Sequence, residues 1–123
     1  MTFSRFTGDV RAAQSAILAD CRDILRRDGV GHRMANFLTI AAESCAGYEP
    51  DDAVWRLTKR IAALQETLSE FEIWCAEPDG EREDKPAAFD GVSATDFTIG
   101  IGTLMGWCDM LRQAIANMEG AAT

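Results

Sequence analysis

Two stretches of this chain place apolar residues at alternating steps of three and four, and that spacing constrains the fold more than any other feature of the sequence. In one, Val54, Leu57, Ile61, Leu64, Leu68, Phe71 and Cys75 follow one another; in the other, Phe97, Ile101, Leu104, Cys108, Leu111, Ile115 and Met118 do. An α-helix turns once in 3.6 residues, so these steps keep all seven side chains on one face. Six such steps in a row, found twice, predict two long helices.

Their flanks agree. Pro50 suits the first position of a helix, and Asp51 and Asp52 favour its positive end, while Pro78 and Gly80 close it. Ser93 stands as the N-cap of the last helix, with Asp96 where a capping box usually has Glu; Gly120 marks its end. Two further stripes are less regular. Val10, Ala13, Ile17, Cys21, Ile24 and Leu25 predict a helix stopped by Gly29, and Met34, Phe37, Leu38, Ala41, Ala42 and Cys45 predict one stopped by Gly47. No strand-like alternation or Asn-Gly turn occurs.

The expectation is an all-α four-helix bundle in up-down-up-down order, with helices over about 8–28, 31–46, 50–76 and 94–119. At 123 residues the chain reads as a single helical domain, 1–123, large enough to bury a core. The segment 77–92, with two prolines, two glycines and six acids against two bases, reads as a long acidic loop whose end Phe89 pins to the bundle. A third helix near 26 residues would be about 39 Å long and the second about 24 Å, so the third overhangs, bends, or is covered by the first and last. An overhang would leave Ile73, Trp74 and Cys75 partly uncovered. No apolar run reaches the roughly 18 residues needed for a membrane span, and the first six residues lack a secretory pattern. A cytoplasmic location without membrane association follows as the expectation.

Chemical signatures are scarce. The four cysteines fall one per predicted helix at different heights, and no Cys-x-x-Cys pair is present, so they read as core thiols rather than a metal site. A di-iron bundle needs two Glu-x-x-His motifs, and His32 is the only histidine. No nucleophile motif accompanies it. Neither catalytic residues, nor metal ligands, nor a cofactor are expected. Arg26, Arg27, His32 and Arg33 form the one basic corner, a candidate anion site at a helix N-terminus. Asp20, Asp23 and Asp28 are interleaved there, however, at spacings that make ordinary surface ion pairs. Gly100, Gly102 and Gly106 inside the last helix cost about 2–3 kcal/mol relative to alanine, which implies close packing, a groove, a ligand or a partner chain.

Charge is distributed unevenly. Residues 1–33 carry a balance of +2 and the rest −10, within a net −8. Glu66, Glu70 and Glu72 crowd the C-terminal half of the third helix, where the helix dipole disfavours anions. Direct nucleic-acid binding is thereby disfavoured, because phosphate neutralisation needs clustered Lys and Arg. Outside the heptad stripes lie Trp55, Ile73, Ile99 and Met110, with Trp74 and Trp107 flanking them. The expected function is a non-enzymatic regulator, adaptor or inhibitor, monomeric or homodimeric, that docks a basic protein. Its surface would be Glu66, Glu70, Glu72, Ile73, Trp74, Glu77, Asp79, Ile99, Trp107, Asp109 and Met110 on helices three and four. Its sharper form mimics nucleic-acid phosphates, as phage-encoded inhibitors of host defence do. The alternatives are an apolar ligand held beside Leu104, Met105 and Cys108, or a self-associating structural module.

Overall fold

The computed structural model describes residues 8–78, 80 and 84–122. Four helices make up most of them: α1 (Gly8–Arg27), α2 (His32–Gly47), α3 (Pro50–Ala76) and α4 (Ala94–Ala122). A 3-10 turn, Ala87–Phe89, interrupts the connection between the last two. The protein is an all-α helical bundle, with no strand among the described residues. None of these helices is long and apolar enough to cross a membrane.

Local chemistry explains the helix boundaries. Pro50 opens α3 behind an extended Glu49 (φ −61°, ψ 150°), with Asp51 and Asp52 in the first turn. At the start of α4 the Asp96 amide donates to Ser93 Oγ (3.1 Å) and the Ser93 amide donates back to Asp96 Oδ2 (3.2 Å), a reciprocal capping box built with the shorter acid. The other oxygen, Asp96 Oδ1, accepts the Gly31 amide at 3.1 Å. That carboxylate therefore ties the α1–α2 turn to the head of α4. The turn depends on glycine twice. Gly29 adopts φ +61°, and a Cβ on Gly31 would stand 2.8 Å from Asp96 Oδ2 and 3.1 Å from the Gly91 carbonyl oxygen. At its other end α4 continues beyond Gly120 to Ala122.

Packing is centred on α4. Its most extensive seam is with α3, it also meets α1 and α2, and α1 packs on α2 and α4 rather than on α3. The buried residues of α4 show why one heptad seam does not describe it. Phe97, Leu104, Cys108 and Leu111 are buried on the predicted stripe, but Gly100, Trp107 and Ala114, seven residues apart, form a further buried column beside it. A helix flanked on three sides needs a wider apolar arc than one paired with a single neighbour.

In α3 the stripe is uncovered toward its end. Leu57 and Leu64 are buried and alternate with half-buried Val54 and Ile61; no stripe residue after Leu64 is buried, Leu68 and Phe71 being half-buried and Cys75 exposed. The 16 residues of α2 are outlasted by the 27 of α3. Aromatic rings cover part of the surplus: Phe71 lies edge-on to Phe89 (centroids 5.2 Å apart) and 6.0 Å from Phe97, and Trp74 lies 5.9 Å from Phe89. Phe89 is only 3% exposed, so the 3-10 turn is fastened to the bundle at this point.

Candidate functional site

The surface proposed from sequence divides in two. At the end of α3, Glu66, Glu70 and Glu72 are exposed and Ile73 is 64% exposed, whereas Trp74 and Glu77 are half-buried. No basic residue occupies the last turn of α3, so its carboxylates meet the negative end of the helix dipole without local compensation on that helix. Asp79 lies outside the described residues. The basic side chains of α3 sit in its first half and are engaged there. Arg56 stacks 3.8 Å above the Tyr48 ring and pairs with Asp52 at 3.3 Å, while Arg60 lies over Phe37 and Lys59 over Trp55. Beyond the two aspartates of its first turn, the helix thus carries its cations in the first half and only anions in the second.

The α4 members of the set belong to a different face. Asp109 is exposed, and Ile99 and Met110 are half-buried along the junction with α1. Trp107 is a correction. It has no exposed surface, and its indole N–H donates to Asp20 Oδ2 at 2.8 Å. Its position flanking the heptad faces α1 rather than solvent, so it belongs to the core and not to an exposed docking surface.

The three glycines separate in the same way. Gly100 is buried where α2, α3 and α4 meet, and a Cβ there would stand 2.8 Å from Met34 Sδ and 3.3 Å from Leu64 Cδ1. Close packing accounts for it. Gly102 and Gly106 are exposed, and a Cβ on either would meet nothing within 4 Å. Both line an open hollow of about 670 Å³ between α1 and α4, beneath which Trp107 lies. A second hollow, about 550 Å³, continues along the same seam and shares Ala16 and Met110 with the first. Of the residues expected beside an apolar ligand, Leu104 and Cys108 are buried and Met105 is 49% exposed.

The basic corner is largely committed to structure. Arg33 Nη1 donates to the carbonyl oxygens of Ala87 and Asp90, holding the 3-10 turn against the start of α2. Arg27 pairs with the neighbouring Asp28 at 3.1 Å, a hydrogen bond that raises its already high pKa. His32 Nε2 lies 3.3 Å from Asn36 Nδ2, and Arg26 is exposed. Of these four side chains, Arg27 lines the hollow between α1 and α4.

Cys21, Cys45 and Cys108 are buried and Cys75 is exposed. Burial pushes the Cys45 thiol up to about 11, with the nearby Cys108 adding to the effect, and burial likewise raises Cys21. Thiols held un-ionised in this way are poor nucleophiles and poor metal ligands at neutral pH. Among the described residues no three of His, Cys, Asp or Glu come together in a metal-binding group.

Sequence reasoning missed the α1 side of the α1–α4 seam. Its signal was present as Ala12, Ala13, Ala16 and Ala19, a run of small residues on one side of α1 that lines the two hollows opposite Gly102 and Gly106. No family model matches the chain, and neither a curated protein nor a solved structure matches it.

Proposed function

We propose that this chain is a non-enzymatic acidic interaction protein, a small regulator, adaptor or inhibitor that docks a basic protein through α3 and α4. The observation that carries the reading is the end of α3, where Glu66, Glu70 and Glu72 stand exposed beside a largely exposed Ile73. An isoleucine left in solvent among carboxylates is a surface suited to a partner that brings both cations and apolar contact. Trp74 and Glu77 border this surface, Asp109 stands on the separate face that α4 shares with α1, and Trp107 is excluded by burial. In its sharper form the carboxylates stand in for nucleic-acid phosphates in the groove of a basic target, as in phage-encoded inhibitors of host defence. The bundle takes up-down-up-down order in this reading, with residues 77–92 as a long acidic loop beside the docking end, and the protein works in the cytoplasm.

The test is binding to a panel of basic proteins, wild type against the Glu66→Lys, Glu70→Lys, Glu72→Lys triple variant, from about 50 to 500 mM salt. Affinity for a genuine partner should fall with salt and drop at least about tenfold in the variant. Affinity indifferent to both would overturn the reading.

A further inference from the structure

The chain's first 33 residues carry a positive balance, yet the fold turns a negative face of them toward α4. All four aspartates of that stretch, Asp9, Asp20, Asp23 and Asp28, line the two hollows between α1 and α4. Of its arginines among the described residues, only Arg27 does, and its guanidinium is bound to Asp28. From the α4 side Asp109 joins them, 3.9 Å from an exposed Arg112. The hollows share Ala16 and Met110, so they form one trough running from Asp9 to Asp28 along α1. At 1.5 Å per residue its length is about 28 Å, five turns of helix.

We infer that this trough receives an amphipathic basic helix of a partner protein, about 18–20 residues long. Shape, charge and floor each argue for that occupant. Two packed helices bound the trough, so a third helix can lie along it as a neighbour does in a bundle. Among the described residues nothing lies within 4 Å of where a Cβ on Gly102 or Gly106 would stand, which lets a ridge of apolar side chains at i, i+3, i+4 and i+7 seat deeply. Lysines or arginines on the α1 side of that ridge then meet the aspartate rim, and those on the other side meet Asp109 among the neutral polar residues of α4. A second copy of this chain is a poor occupant, because two molecules of net charge −8 would bring like-charged rims together. The inference rests on reading the chain as an interaction protein, but it uses a surface separate from the end of α3.

The probe is a fluorescein-labelled 20-residue peptide with leucine and alanine at helical spacing and lysine on both flanks. Its controls are the same peptide with glutamate flanks and a lysine peptide with the spacing scrambled. The lysine helix should bind saturably at low salt and shift the Trp107 indole N–H resonance, while both controls bind at least about tenfold more weakly. Gly106→Leu fills the trough without touching the core. It should melt no lower than wild type and lose binding by a similar factor, with the Glu66, Glu70 and Glu72 reversal having little effect. Absence of saturable binding, equal binding of the controls, or binding indifferent to Gly106→Leu would overturn the inference. Loss on reversal of the three glutamates alone would overturn it while leaving the α3 reading standing. Concentration-dependent dimerisation abolished by Gly106→Leu would replace the basic helix with a second copy.

Discussion

Replacing Gly102 and Gly106 together by alanine should make the protein more stable, since both are exposed inside its longest helix. A Cβ at either position enters open space, so the substitution adds no clash. Alanine removes backbone freedom from the unfolded chain, and each exchange in a helix interior is worth about 0.8–1 kcal/mol. The pair should therefore contribute about 1.5–2 kcal/mol. For 123 residues the entropy of unfolding near the midpoint is about 0.26 kcal/mol per kelvin, so Tm should rise by about 6–8 °C. Gly100→Ala is the internal control, in the same helix and with the same propensity gain. There the new methyl stands 2.8 Å from Met34 Sδ, and Met34 is itself buried, so repacking should cancel the gain and leave Tm within about 2 °C of wild type or below it. Thermal melts followed by circular dichroism and by calorimetry measure both. A fall in Tm for the double variant would refute the reasoning, because it would mean that α1 closes onto the glycines.

Two further outcomes follow from buried groups. Asp96→Ala removes the acceptor for both the Ser93 and Gly31 amides, and should cost about 2–3 kcal/mol in urea denaturation; a loss below about 0.5 kcal/mol would contradict the dual role. Cys45 is raised in the folded protein from 9.0 to about 11, so its contribution is fully present below pH 9 and is lost as pH rises toward 11. Two units correspond to about 2–3 kcal/mol, and Cys45→Ala should flatten the alkaline limb of the stability curve by that order. An unchanged limb would show that the thiol ionises as easily in the folded state as in the unfolded one.

What could be read beforehand was set by periodicity. Heptad steps in α3 and α4, Pro50 before α3 and the Ser93–Asp96 pair before α4 are local signals, and each depends on neighbours within about one turn. Phe89 was legible as well, since a lone aromatic in an acidic loop has few places to go but the core. The reading failed where a residue's surroundings come from distant helices. Trp107 lay beside the predicted stripe, and nothing in its own neighbourhood announced Asp20 as its partner, 87 positions away. Gly100 and Gly106 look alike in sequence, yet one is packed under Met34 and the other opens onto the trough. Net charge misled for the same reason. The arginines of α1 outnumber its aspartates along the chain, but helical phase gathers the aspartates on the side toward α4.

The carboxylate of Asp96 also bears on how the molecule opens. A helix end held only by its own cap frays by itself, one turn at a time. Here a residue of α4 holds an amide of the α1–α2 turn 65 positions earlier, and Arg33 just beyond that turn grips the backbone leading into α4. Unwinding the head of α4 would strip the turn of its hydrogen bond, and releasing the turn would take away a partner of the cap. The two events are thereby merged into one cooperative opening unit, so the region joining the first and last helices yields together or not at all.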